Sequence, residues 1–350
     1  MDINSYEKYQ AAMRRRHLIN LAALALLAAV MAGLWFLGSE GLTADERALW
    51  TTVRRAETDL WRWRVNNDRG YDQAADPYRT GLIGVEWSPL STTMGALEAK
   101  RTACDPRFAV LLYRWLGRAG VGRGDTVVLL SSSSFPGLML NAAAALEARG
   151  ARVISIVSLG SSTWGANEPG FAWPQLSARL RKRGYIRLKA DYYTLGGNGE
   201  IGGGLSPEGR ALMEQEAAAD GVPLVVKKDL AAMIDWKLSV IEKAKPRLVI
   251  NIGGSHANLG ADDDVSGLAP GYLSGTTPHA GSGVVGRALA KGWPVVHLLN
   301  VKKLCGDEGI PFDSKPAAVF RSRRTLACGA AALALFAAAL CWFKRWRFLA

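Results

Sequence analysis

Cysteine and histidine are scarce, with four of each among 350 residues. Four cysteines in a chain this long exclude a disulfide-stapled scaffold, and no CxxC or Cys/His ligand spacing occurs, so no metal is expected. No cofactor is expected either, and no nucleic-acid-binding motif is present. Apolar residues are not lacking: they make up 49% of the chain, which excludes intrinsic disorder. Yet the mean hydropathy of +0.04 is too low for a polytopic transporter. The apolar excess must therefore be local.

It lies at the two ends. Leu18–Leu37 carries no charge, and neither does Thr325–Phe343. As helices each spans roughly 28–30 Å, the thickness of a hydrocarbon core. A cleaved signal peptide is the rival reading of the first block, but it is longer than a usual h-region and no small-x-small site follows. A buried core helix is the rival reading of the alanine-rich second block. Arg321, Arg323 and Arg324 before that block, and Lys344, Arg345 and Arg347 after it, suit snorkelling at both interfaces. Trp35, Trp342 and Trp346 stand where interfacial aromatics are expected. The expectation is two transmembrane helices, 18–37 and 325–343, in a bacterial cell membrane. The positive-inside rule puts the stub 1–17 and the basic tail 344–350 in the cytoplasm, and the middle outside it. Cys328 and Cys341 fall in the second block; nothing in the sequence shows whether Cys104 and Cys305 meet.

Between the anchors, Thr43-Ala-Asp-Glu46 is a capping box for a helix reaching about Trp63. Its charge density reads as a stalk, which with the Gly/Pro/Asp-rich loop after it fills 38–92. From there to residue 320, short apolar strands alternate with helix-length segments. Strands are expected at Thr126–Leu130, Val153–Val157, Arg247–Ile252 and Val295–Leu299. Helices are expected at Phe108–Leu116, Gly137–Arg149, Ser206–Asp220, Leu230–Lys243 and Val284–Ala290. This pattern implies an α/β domain, a mostly parallel sheet with helices on both faces.

In such sheets ligands bind beyond the carboxyl ends of the strands. Three segments qualify. Ser131, Ser132, Ser133 and Ser134 lie between a strand and a helix, where hydroxyls and free amides suit a carboxylate or phosphate; the plainer reading is a helix cap. Ser161, Ser162, Trp164, Asn167 and Glu168 form a polar loop suited to a sugar or peptide, or simply a structured turn. Gly253-Gly-Ser-His-Ala-Asn258 pairs Ser255 with His256 and ends at Asn258. It lacks the last glycine of a G-x-S-x-G elbow, and neighbouring side chains seldom face each other, so a ligand-binding turn is preferred there. Ser133, Ser255 and His256 are the catalytic candidates. His279 also sits in a glycine-rich turn, whereas His297 reads as a core residue. Gly281-Ser-Gly-Val-Val-Gly286 matches a dinucleotide fingerprint without its preceding strand, and reads instead as a tight helix entry. The densest basic run, with Arg179, Arg181, Lys182, Arg183, Arg187 and Lys189, is either a solvated face or a polyanion site.

Leu97-Glu-Ala-Lys-Arg-Thr102, Ser133-Ser-Phe-Pro-Gly137 and Ser158-Leu-Gly-Ser-Ser-Thr-Trp-Gly-Ala-Asn-Glu168 together resemble the family called poly-gamma-glutamate system protein. The resemblance covers about residues 85–310, and Ser162–Asn167 is its most specific phrase. It implies a membrane accessory protein working beside the machinery that makes and exports poly-γ-glutamate, a capsule polymer, and it assigns no residue a role. The lead expectation is an accessory protein binding the anionic polymer or its membrane synthase subunits. Two rivals are a membrane-tethered hydrolase or amide-bond transferase, and a scaffold for membrane partners.

Overall fold

The computed structural model of the chain describes residues 3–67, 71–260, 268–277, 281–321 and 323–345. His279, Trp346 and Arg347 lie outside the described residues. In chain order the elements open with α1 (Ile3–Gly38), β1 (Ser39–Gly41), α2 (Ala44–Asn67), β2 (Ser91–Thr93), α3 (Leu97–Ala103) and α4 (Arg107–Arg118). There follow β3 (Thr126–Ser132), α5 (Pro136–Arg149), β4 (Arg152–Ser158), β5 (Ser161–Ser162), α6 (Trp173–Lys182), β6 (Tyr192–Thr194), α7 (Pro207–Asp220) and β7 (Leu224–Val225). The rest are α8 (Leu230–Ala244), β8 (Leu248–Ile252), α9 (His256–Leu259), β9 (Gly271–Leu273), α10 (Val284–Ala290), β10 (Val295–Leu298), α11 (Val301–Glu308), β11 (Val319–Arg321) and α12 (Arg323–Arg345).

The chain divides into two compact units, one of residues 1–41 with 319–350 and one of Leu42–Ala318. In the first, α1 packs along α12, and β1 pairs antiparallel with β11. Within α1 the stretch Ile3–Leu34 is long and apolar enough to cross a membrane; its most apolar window has a mean hydropathy of 2.1 and no buried residue. A signal sequence passes the same test of length and composition. Among the described residues, the apolar stretch found in α12 is the shorter run Ala327–Ala339. Among these residues one helix, at the N-terminal end, is long and apolar enough to span, and a second span is not established.

The second unit is an α/β domain on a seven-stranded sheet of order β7-β6-β4-β3-β8-β10-β9. Every pairing is parallel except β10 with β9. Val128, Leu130, Ile156, Val249 and Val295 on one face form a core with Met233, Ile234, Leu238 and Ile241 of α8 and with Val284, Val285 and Ala288 of α10. Val127, Leu129, Val157, Ile250 and Val296, which alternate with them, are buried as well. Burial on both faces explains why these strands read as unbroken apolar runs. Helix α5 packs against α2, α3 and α4, its small Ala142–Ala145 run permitting the approach, and it ends at Gly150 with φ 67°.

Two expectations need correction. The helix opened by the Thr43/Glu46 capping box is present, with reciprocal side-chain-to-backbone bonds, but it is no stalk. Leu49, Val53, Ala56 and Leu60 make a buried stripe that packs α2 into the domain against α4, α5 and α6. The domain therefore begins at Leu42 and not at residue 93. The serines before α5 do not cap it either: its cap position is Phe135, with no side-chain acceptor.

Candidate functional site

Two short polar strands build the site. β5 follows β4 after only Leu159 and Gly160, and pairs in parallel with β2, Ser91 opposite Ser161 and Thr93 opposite Ser162. Beyond that ladder the Thr163 amide donates to the Thr93 carbonyl at 2.9 Å, and the Gly95 amide donates to Thr163 Oγ1 at 2.7 Å. These bonds bring the start of α3 to the carboxyl end of the sheet. Lys100, one turn into α3, thereby reaches Ser162: Nζ lies 2.6 Å from its Oγ. Gly95 leaves the room for this. A Cβ there would stand 2.9 Å from Ser162 Oγ and 3.0 Å from Lys100 Cε.

A cavity of about 650 Å³ opens around the pair. It is lined by Ser132, Ser134 and Phe135 at and beyond the end of β3, by Ser158 and Gly160 at the end of β4 with Ser162 of β5, and by Gly254, Ser255 and His256 after β8. Gly196, Gly197 and Asn198, which follow β6, and Thr92–Ala96 with Lys100 also belong to the wall. The chain leaves β3 toward β4, β6 and β7 on one side, then returns to place β8 on the other. The cavity is thus at the topological switch point, where open α/β sheets bind ligands.

Lys100 is 3% exposed. Its ammonium group would donate to the Ser134 carbonyl at 2.6 Å and to Ser162 Oγ, and it sits 3.8 Å from the centre of the Phe135 ring. No carboxylate pairs with it among the described residues. Burial pulls its pKa down to about 7, and Cys104 offsets this only in part. The Cys104 thiol is itself pushed well above its usual range by burial. Ser134 ties the two strand ends together: its Oγ accepts from Ser132 Oγ at 2.8 Å and from the Ser162 amide at 2.9 Å.

The facing wall is held by a different arrangement. Glu200 accepts at Oε1 from Ser158 Oγ at 2.8 Å, from Thr194 Oγ1 at 2.8 Å and from Lys237 Nζ; at Oε2 it accepts from Ser255 Oγ and, at 3.1 Å, from the Ala257 amide. Burial pushes Glu200 up, but Lys237 and the hydroxyls outweigh it and hold the carboxyl below its usual range. Burial lowers Lys237, against the pull of Glu200. Asn258 accepts from Lys237 Nζ at 2.9 Å.

The sequence candidates divide accordingly. Ser132, Ser134, Ser162, Ser255 and His256 come together on the cavity. Ser133 does not: it is fully buried and donates to the Ser158 carbonyl at 2.8 Å. Ser131 and Ser161 are buried with their hydroxyls on backbone carbonyls. Ser255 and His256 are not a pair. Ser255 donates to Glu200, and His256 Nδ1 accepts from the Gly199 amide at 2.9 Å. Asn167 holds the Val85 amide and carbonyl and Ser91 Oγ, Glu168 pairs with Arg64, and the Trp164 amide bonds the Val85 carbonyl. Asn167 and Trp164 brace the loop before β2, Glu168 ties to α2, and all three are absent from the cavity wall. Asn258 sits behind the wall. His297 is a core residue, bonded to Asn251 and pulled by burial to about 4. Cys104 and Cys305 are both buried and free. Gly283 does provide a tight helix entry: its Cβ would stand 2.2 Å from the Leu259 carbonyl carbon.

The basic run is largely engaged. Arg179 and Arg183 share Asp59, Arg181 pairs with Asp220, and Arg187 pairs with Glu147. Lys182 and Lys189 alone of that set show no ion pair among the described residues.

No family model matches the chain, and no curated protein or solved structure matches it. What the site can do follows from its own chemistry. It offers a hydroxyl beside an amine whose pKa lies near neutrality, glycine walls that admit a main chain closely, and the amino end of α5, where the helix dipole favours negative charge. Sequence reasoning does not single out Lys100, Glu200 or Lys237. A lysine between Glu98 and Arg101 in a charged helix reads as solvated.

Proposed function

We propose that the chain is a membrane-anchored accessory protein of poly-γ-glutamate synthesis or export, whose α/β domain takes the polymer into the switch-point cavity. One observation carries this reading. The three segments on which the family resemblance rests are separated by tens of residues in sequence, yet each contributes to the same cavity: Lys100 from the first, Ser134 and Phe135 from the second, Ser158, Gly160 and Ser162 from the third. The apolar stretch Ile3–Leu34 supplies the anchor. A second span at 325–343 and an extracytoplasmic domain belong to the proposal, from the charge of the flanks. The pairing of the 179–189 arginines is why the reading puts the polymer at the cavity and not along that run.

The test is binding. The full chain in detergent is expected to bind fluorescent poly-γ-glutamate with an affinity that falls as salt rises. Absence of binding at low salt removes the reading. The hydrolase or transferase alternative is favoured by the contact between Lys100 and Ser162, and is developed next.

A further inference from the structure

We propose that Ser162 and Lys100 are a nucleophile and base that break or remake an amide bond in the chain held by the cavity. The substrate class, a glutamyl amide, rests on the function proposed above; the pairing of the two residues does not.

Geometry selects this serine over the others. Ser132 Oγ is committed to Ser134, Ser158 and Ser255 donate to Glu200, and Ser133 and Ser161 donate to carbonyls. Ser162 Oγ has Lys100 Nζ as its only hydrogen-bond partner among the described residues, at 2.6 Å, and faces the cavity. Its partner is buried without a counter-ion, the setting in which a lysine serves as a general base. Serine–lysine pairs are a known variant of the serine–histidine constellation. The titratable groups facing Lys100 are Cys104, one turn along α3, and His256 across the cavity. Neither supplies a negative charge near neutrality that would hold the ammonium form.

The step balances without a further reagent. Neutral Lys100 takes the Ser162 hydroxyl proton as Oγ bonds to the carbonyl carbon. The carbon–nitrogen bond then breaks, the leaving amine receives that proton from Lys100, and the acyl group rests on Ser162 as an ester. Water or a second amine attacks the ester, giving up its proton to Lys100, and Oγ recovers a proton as it leaves. Water gives hydrolysis; an amine gives transfer. Phe135, at the amino end of α5, lines the same cavity, so the positive pole of that helix favours negative charge developing there.

A fluorophosphonate probe tests the pair, since attack by Ser162 forms an oxygen–phosphorus bond and expels fluoride. On the full chain in detergent, labelling is expected at Ser162 by peptide mapping. Its rate should rise with pH through a midpoint near the Lys100 value of about 7. Ser162→Ala should abolish labelling, and Lys100→Met should slow it by roughly 100-fold or more. A label on another serine, or an undiminished rate in Lys100→Met, overturns the assignment. So does a wild-type rate that is flat from about pH 5 to 9, a result that needs no variant to fold. Poly-γ-glutamate bound without any labelling overturns the pair and leaves the function proposed above standing. Labelling at Ser162 with no binding or cleavage of that polymer removes the substrate and keeps the pair.

Discussion

Two lysines are buried in the α/β domain, Lys100 at 3% and Lys237 at 1% exposure, and they are held in opposite ways. Lys237 meets a carboxylate and an amide oxygen, and with Glu200 it closes a network in which every partner has a counterpart. Lys100 meets only a carbonyl, a hydroxyl and an aromatic face. Burial acts on both, but only Lys237 has a carboxylate beside it to offset it. The lesson is that one cation is architecture, pinning the glycine-rich loop 196–204 to the turn after β8. The other is left able to lose its proton at neutral pH, on the wall where a ligand would sit.

Several substitutions would break or sharpen this contrast. The largest effect is expected at Lys237→Met, which leaves Glu200 buried and charged without its partner; stability should fall by about 3–5 kcal/mol in chemical denaturation. Lys100→Met removes an amine that has no such partner, and at pH 7 its stability should stay within about 1 kcal/mol of wild type. Equal losses at the two positions would erase the distinction.

Proton linkage gives the next effect. Lys100 titrates at about 7 in the fold against 10.5 for the free side chain, so between these values the unfolded chain binds the additional proton. Stability contributed through this group must therefore rise with pH across that window, by up to about 1.4 kcal/mol per unit. From pH 7 to pH 9 wild type should gain on the order of 2 kcal/mol relative to Lys100→Met, measured by denaturation at both values. A constant difference would show that Lys100 stays charged.

Smaller effects follow on the facing wall and the surface. Ser255→Ala withdraws one donor from Glu200 while the Ala257 amide remains, and about 1 kcal/mol of stability should be lost. Arg187→Ala breaks an exposed pair with Glu147. It should shift stability by less than about 0.5 kcal/mol and leave the salt dependence of polymer binding unchanged. A marked loss of polymer affinity there would return the binding surface to the basic run.

The sheet was legible where burial is two-sided: β3, β4, β8 and β10 announce themselves as runs of Val, Leu and Ile. Strands β2 and β5 were not, because Ser91–Thr93 and Ser161–Ser162 are too short and too polar to show a period of two. Their pairing is a tertiary event across 70 residues of chain, and it brings Lys100 to Ser162. The loops at the carboxyl ends of the strands were found by the switch-point rule, but which of their serines faces the cavity was not. Adjacent serines point in different directions, and only coordinates separate Ser132, Ser134 and Ser162 from Ser131, Ser133 and Ser161. The stripe of α2 was hidden for a different reason: Arg54, Arg55, Glu57 and Asp59 interleave with Val53, Ala56 and Leu60, and charge density masked the periodicity.

The ladder between β2 and β5 also fixes when the chain becomes reactive. Until residues 91–95 have docked on 161–163, Lys100 is an ordinary solvated cation and Ser162 an ordinary alcohol, and neither has any use for the other. In the proposed pairing, reactivity therefore depends on this small seam as well as on the Ser134–Phe135 turn beside it. A newly made chain carries no armed serine while its segments are still apart, and a folded one would be disarmed by opening that seam alone, with the seven-stranded sheet beneath it intact.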